Sequence, residues 1–428
     1  MSYILLLIWQ VFFVLQVLDW PRFGLQVEQP VTAILIGSAF IVFLFEKKLK
    51  NFGAEFWLLS AFVATIIVSG FANGWLGGGV AEAQIFVLTA FLPFILFSNH
   101  GVSIKKQHFF MFLLLGYSLL MVNNGLAQRS SADGMGWTGT RLIQNTRITF
   151  IGLLDDPNDL GQYFVMCIPF AAYFMRHGSS VFTRLAAFVV LLNLCFGIYL
   201  TDSRGTLLGA LGILAVYIYY RYGMKKAVLA ALPLLPIVAY VTAQFRAIEL
   251  EESAMERADS WYTGMQLFEQ NPLLGVSMGS FTDYSALTAH NSFVLVMSEL
   301  GLIGYILWLS IIIISLVSTV SIAYHYRQRL LDNGFKRLEP TELNRALALN
   351  SAILFSLLGY LFCAFFLSRS YSAFLFMLCA FCSASYARVT MLDPELRLKQ
   401  PEKLFRYTMA GSFGSIVGMY AIVRVLLA

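Results

Sequence analysis

"AHNSFVLVMSELGLIGYILWLS", residues Ala289 to Ser310, opens with a His–Asn pair and carries a Glu nine residues after the His; the rest is apolar or small. The apolar run continues to about Ala323. As one α-helix, His290 to Ala323 would be about 51 Å long at about 1.5 Å per residue, against about 30 Å of bilayer hydrocarbon. Its first turns therefore stand in the membrane interface, or the helix bends near Gly301 and Gly304. Either way His290 sits at the level of lipid headgroups, where it can meet both water and a lipid-borne molecule. Glu299 lies two to three turns deeper, and a carboxylate at that depth is expected to be functional and partnered, here by one of the arginines.

The rest of the chain is of the same kind. Of its 428 residues 58% are apolar and 12% charged, with a mean hydropathy of +0.72. A soluble domain carries about 25% charged residues, so this chain cannot cover a water-facing surface. Apolar runs of spanning length fall near 3–19, 31–46, 55–72, 81–98, 107–123, 159–176, 184–201, 206–222, 226–243, 300–323, 346–367, 371–388 and 405–427. They predict an all-α polytopic membrane protein, a single membrane domain over 1–428 with 12 or 13 transmembrane helices. The first run lacks a small-residue cleavage site and is read as retained. Continuous apolar runs, rather than alternation, point to an inner membrane and not to an outer-membrane barrel. All five cysteines fall inside apolar runs without metal-finger spacing, and no nucleotide-binding or zinc motif is present.

Lys and Arg mark cytoplasmic loops. The clusters Lys47/Lys48/Lys50, Lys105/Lys106, Arg176/Arg184, Arg221/Lys225/Lys226, Arg327 to Arg345 and Arg388 to Arg406 occupy alternate loops. One orientation satisfies all six and places the N-terminus and loops 324–345 and 388–406 in the cytoplasm. The connections 124–158, 202–205 and 244–289 then face outward, and two of them exceed the length of a passive connection.

The outward cations are all arginine: Arg22, Arg129, Arg141, Arg147, Arg204, Arg246, Arg257, Arg369 and Arg424, with all ten lysines inside. Arg offers a planar fork for phosphate or carboxylate, whereas Lys is a point charge, so an anionic ligand is expected at the outer face. Compositional drift and snorkelling are the blander explanation. Loop 244–289 predicts a short helix from about Leu250 to Gln270. Its apolar stripe is Trp261, Met265 and Phe268, with Arg257 one turn before Trp261, and "NPLLG" ends it. A surface-lying amphipathic segment would look similar. "TDSRGTLLG" holds Arg204 at the mouth of a tight hairpin; a weak Asp202–Arg204 surface pair is the alternative. In "TRLIQNTRITFIGLLDDPNDLGQYF", Asp156 or Asn158 can cap the helix that follows, which by itself explains the acidic residues, while Arg141 and Arg147 are candidate ligand contacts. Among the histidines, only His290 falls on the outward side.

"HNSFVLVMSELGLIG" fits the pattern H-[NSQ]-x9-G-x2-G, and "SRG", "NPLLGVSMGSF" and a "DPN" before a span precede it in order. Together they resemble the O-antigen ligase and polysaccharide polymerase superfamily over about 147–305. The resemblance implies a membrane-embedded, all-helical bacterial inner-membrane glycosyltransferase with its active site on the periplasmic side. Its donor would be an undecaprenyl-pyrophosphate-linked oligosaccharide and its acceptor another glycan or lipid A–core. It implies no cofactor, nucleotide sugar or metal. The lipid bilayer is the medium, flippase and chain-length regulator proteins are the protein partners in view, and no nucleic acid is expected. Carried over by motif, Arg204, Arg257 and His290 are the catalytic candidates; Arg147, Arg141, Asn291, Glu299 and Trp261 complete a substrate-binding set. The loop between Gln244 and Ala289 is compact for a ligase, which must admit a bulky lipid A–core, and this favours a polymerase.

A secondary transporter is the rival from another class. No internal repeat relates the two halves, and polar residues gather at one face instead of mid-membrane. A scaffold would leave the one-sided arginines unexplained.

Overall fold

The computed structural model describes residues 1–46, 51–224, 247–334, 339, 341–398 and 401–426. Among these the chain is helical, without a strand: α1 (Ser2–Leu15), α2 (Glu28–Phe45), α3 (Ala54–Ala72), α4 (Leu76–His100), α5 (Ile104–Ser130), α6 (Pro157–His177), α7 (Val181–Thr201), α8 (Arg204–Tyr222), α9 (Ala247–Gln270), α10 (Ser292–Asp332), α11 (Glu342–Ala364), α12 (Ala373–Leu392) and α13 (Pro401–Leu426). Nine of the described helices are long and apolar enough to cross a membrane, so the protein is an all-α, multi-pass membrane protein. Every expected span except one coincides with a helix; 226–243 lies outside the described residues.

Helix boundaries follow local chemistry. Side-chain oxygens of Asp156, Ser180, Ser203, Asn291, Thr341 and Ser372 cap α6, α7, α8, α10, α11 and α12, each satisfying an amide left open by the first turn. The first helix stops at Leu15, short of the expected 3–19, because Gln16 adopts a left-handed conformation (φ 45°). Elsewhere helices outrun the apolar runs. α5 continues through Ser130 and α10 through Asp332, so the irregular part of 124–158 begins at 131 and that of 324–345 at 333. Nothing in the polar flanks breaks a helix, and their long side chains can reach the interface.

Helices α11 and α12 form the centre, with 83% and 78% of their most apolar windows buried, against 22% for α2, α7 and α13 at the periphery. The peripheral helices turn large apolar side chains outward, among them Ile34, Phe45, Phe182, Tyr199 and Val417. That pattern suits hydrocarbon as solvent.

The ends of the described helices gather in two sets. At one end Ser2 hydrogen-bonds Glu46 and His100, and Arg388 donates to the Gly101 carbonyl. At the other, Arg129 of α5 donates to the Leu200 carbonyl and Asn73 of α3 to that of Gly275. This second end carries the expected site residues.

Candidate functional site

The N-termini of α6, α8 and α10 meet at this second end, each bringing the positive end of a helix dipole. Before α6, the segment 131–150 folds back on α5, where the buried amides of Asn124 and Gln128 bind Thr138, Thr140 and Thr149. Gln144 and Asn145 are both left-handed (φ 53° and 60°). They reverse the chain so that Ile143 and Arg147 pair backbone to backbone, at 3.0 Å in each direction. Arg147 is thereby aimed across the hairpin joining α7 to α8. Its Nε donates to the Thr201 carbonyl (3.1 Å) and its Nη2 to Asn158 Oδ1 (2.9 Å). Ser203, the cap of α8, donates to the same Asn158 oxygen (2.7 Å). Asp156 caps α6 by accepting from the Asn158 amide (2.7 Å), which leaves the Asn158 side chain for these two partners.

Arg204 is the first residue of α8 and is half-buried. Arg257 stands on α9, also half-buried, one turn before Trp261. The charges act on one another. Burial holds Arg147 below its ordinary pKa; Asp156 and Asp202 oppose this and Arg204 adds to it. Burial likewise depresses Arg257, with Arg204 and Arg147 contributing and Glu256 opposing. Burial lowers His290 from its ordinary 6.5, Arg257 lowers it further, and Asp156 and Glu256 pull the other way. Arg147, Arg204, Arg257 and His290, from four separate segments, form one electrostatic group (Coulomb's law makes such coupling a short-range matter near a surface). Arg141 is exposed on the 131–150 segment, and its charge acts on Asp133. Arg129 is tied to the Thr146 carbonyl (2.6 Å), and Arg246 lies outside the described residues.

His290 precedes α10 in a left-handed conformation (φ 47°), uncommon for a residue with a side chain. Asn291 caps the helix, its Oδ1 accepting from Phe293 (2.8 Å) and Val294 (3.2 Å). Ser292 is stitched to the loop between α11 and α12. Its hydroxyl donates to the Leu367 carbonyl (2.6 Å) and accepts from the Arg369 amide (3.0 Å), and its carbonyl accepts from Ser370 Oγ (2.7 Å). Arg369 then reaches Asp159 in the first turn of α6, both carboxylate oxygens accepting from its guanidinium. Asn158 and Asp159 thus hold Arg147 on one side and the His290 helix on the other. Two buried donors here have no hydrogen-bond partner among the described residues: Asn291 Nδ2 and Trp261 Nε1. Trp261 packs edge-on against Phe365 at 5.7 Å.

Glu299 has a different environment from the one expected. No arginine meets it among the described residues; its Oε1 accepts from the Gly279 and Phe281 amides (3.0 and 3.3 Å). The cause is the bend in α10. Gly301 breaks the helix with φ 61°, ψ −163°, a region open essentially to glycine alone. The groups it frees pair with "NPLLGVS". The amides of Val276 and Ser277 donate to the carbonyls of Ser298 and Glu299, and those of Leu302 and Ile303 to Pro272 and Leu273. A Cβ on Gly301 would stand 2.4 Å from the Leu273 carbonyl carbon. The two motifs are one backbone-to-backbone joint, which locks the loop after α9 onto α10.

Residues 186–309 match the family model described as O-Antigen ligase. The matched segment carries Arg204, Arg257 and His290; Arg147 lies before it. No protein with a curated description matches the chain.

Proposed function

We propose that this chain, whose residues 186–309 match the family model described as O-Antigen ligase, is a membrane glycosyltransferase of the O-antigen ligase and polymerase superfamily and moves a glycan from undecaprenyl pyrophosphate onto an acceptor saccharide at the periplasmic face of the bacterial inner membrane. The observation that carries this reading is the chain of half-buried cations in which Arg147 and Arg204 act on Arg257, and Arg257 acts on His290. Three guanidinium groups and three helix N-termini suit a pyrophosphate, whose charge grows as it leaves.

An acceptor hydroxyl attacks the anomeric carbon of the donor glycan, and His290 takes the hydroxyl proton as the new C–O bond forms. The bond from that carbon to the pyrophosphate oxygen breaks, and undecaprenyl pyrophosphate leaves with the electron pair, held by the arginines. Burial and Arg257 keep the His290 imidazole neutral near pH 7, the form a base requires. Asn291 Nδ2 and Trp261 Nε1, buried donors without a partner among the described residues, would donate to sugar oxygens. Arg141, exposed nearby in sequence, would contact the more distal glycan.

The compact loop favours a polymerase: α9 is followed at once by the turn locked onto α10. Purified protein in lipid, given the lipid-linked oligosaccharide and no nucleotide sugar, is expected to build a ladder of longer lipid-linked glycans that His290→Ala abolishes. Transfer only after lipid A–core is added would make it a ligase. No transfer by folded protein to either acceptor would refute the reading.

A further inference from the structure

At the end of the bundle opposite the arginine group lies a cavity of about 550 Å³, within the range of about 300–1,000 Å³ typical of small-molecule sites. Helices α7 and α8 meet at 201–204, and the cavity opens farther down, between Leu191 of α7 and Ala210 and Ile213 of α8. Ile168 of α6 and Phe355 of α11 back it. Three of its four tyrosines, Tyr173, Tyr217 and Tyr220, have their hydroxyls engaged by the protein. Tyr220 donates to the Ala323 carbonyl (2.7 Å), Tyr217 accepts from Arg221 Nη1 (2.9 Å), and Tyr173 shares a 3.0 Å hydrogen bond with His108 Nε2. What remains is a hydrocarbon-lined trough.

The far rim has the opposite character. Arg176 and His177 close α6 and Arg221 lies at the end of α8, and no carboxylate lines the cavity among the described residues. From Ile168 to Arg176 is about 12 Å along a helix, and from Ala210 to Arg221 about 16 Å. The trough is therefore about one leaflet deep, with cations at the level of its headgroups. A polyprenyl chain is far longer than one leaflet, whereas a phospholipid acyl chain matches it.

We propose that this cavity is a binding site for an anionic phospholipid, with an acyl chain in the trough between α7 and α8 and its phosphate bridging Arg176 and Arg221. The site is separate from the glycan-transfer site, and the proposal needs only that the bundle spans a bilayer.

The test is native mass spectrometry of the purified full chain, titrated with phosphatidylglycerol, with phosphatidylethanolamine of the same acyl chains, and with a polyprenyl phosphate. Phosphatidylglycerol should bind about tenfold more tightly than phosphatidylethanolamine, as expected for a charge-assisted hydrogen bond or two. Arg176→Gln with Arg221→Gln should erase that preference, and Ala210→Phe should release both phospholipids by filling the trough, each variant eluting as a folded protein. Equal binding of the two phospholipids, a preference that survives the arginine substitutions, or tighter binding of polyprenyl phosphate would overturn the assignment. Should Ala210→Phe not fold, the arginine pair alone decides.

Discussion

Asp159→Asn probes the clamp behind His290. Asp159 is almost fully buried, with its side chain 6% exposed, while Arg369 keeps 36% of its own side-chain surface accessible. Removing one partner of a fully buried pair costs about 3–5 kcal/mol, and a hydrogen bond to a charged group contributes about 1.5–3 kcal/mol. Asn keeps one acceptor and water can reach Arg369, so the lower range of about 1.5–3 kcal/mol applies. The loss falls on the docking of Leu367–Ser370, and through Ser292 on the placement of His290. Arg204 and Arg257 stand on other helices, so the donor KM should change little while kcat falls about tenfold to a hundredfold, at about 1.4 kcal/mol per tenfold. Arg369→Gln leaves a buried carboxylate without its cation and should be worse. If the two act as one unit, the double variant is no worse than Arg369→Gln alone. Ladder synthesis in proteoliposomes gives kcat and KM, and a thermal unfolding trace confirms that each variant is folded. Wild-type kcat in folded Asp159→Asn, or losses that simply add in the double variant, would refute the reasoning.

Arg204→Lys keeps the charge but loses the planar fork, so most activity should disappear; wild-type turnover would remove pyrophosphate binding from Arg204's role. If His290 is the base, its burial-lowered titration means that kcat/KM should rise with pH through a midpoint below 6.5 and level off by neutrality. Arg257→Gln should move that limb upward as well as slowing turnover, and an acid limb at or above 6.5 in the wild type would point to another base. Glu299→Gln, whose amide oxygen can still accept from Gly279 and Phe281, should retain at least about half of the activity. Glu299→Leu strands two buried amides at about 1–3 kcal/mol each and should lower thermal stability; complete inactivity of folded Glu299→Gln would show that ionised Glu299 takes part in the chemistry.

The spans were legible because a bilayer imposes one requirement, about twenty apolar residues, that needs no knowledge of neighbours. The outward arginines and His290 were legible for a similar reason, since charge at an unexpected face stands out whatever it touches. What the sequence hid is pairing at a distance. Asn158 reads as a second helix cap, yet its side chain binds Ser203, 45 residues away, and Arg147. Asp159 reads as a favourable charge at a helix start, yet it holds Arg369, 210 positions later. In both cases a local rule already accounted for the residue, and nothing in the local pattern signalled a second use. Glu299 differs in the opposite way: depth implies an ionic partner, but among the described residues the break at Gly301 admits a loop whose amides supply the contact instead.

The residues that follow His290 explain how it can be held in an unfavourable backbone conformation. A side-chain-bearing residue in the left-handed region costs about 1–2 kcal/mol, and such a residue persists only where its surroundings over-determine it. Here the Asn291 cap fixes the residue that follows, and Ser292 is bound three times by the Leu367–Ser370 loop. Beyond the first turns, the joint at Gly301 anchors α10 to the loop that begins where α9 ends, and α9 bears Arg257. His290 and Arg257 are thus referenced to the same joint, while Asp159 and Asn158, adjacent on α6, reference His290 and Arg147 to a second. Two independent joints leave little freedom for the distance between the proposed proton acceptor and the proposed leaving-group cradle to vary, the condition under which preorganised charge acts most strongly on a transition state.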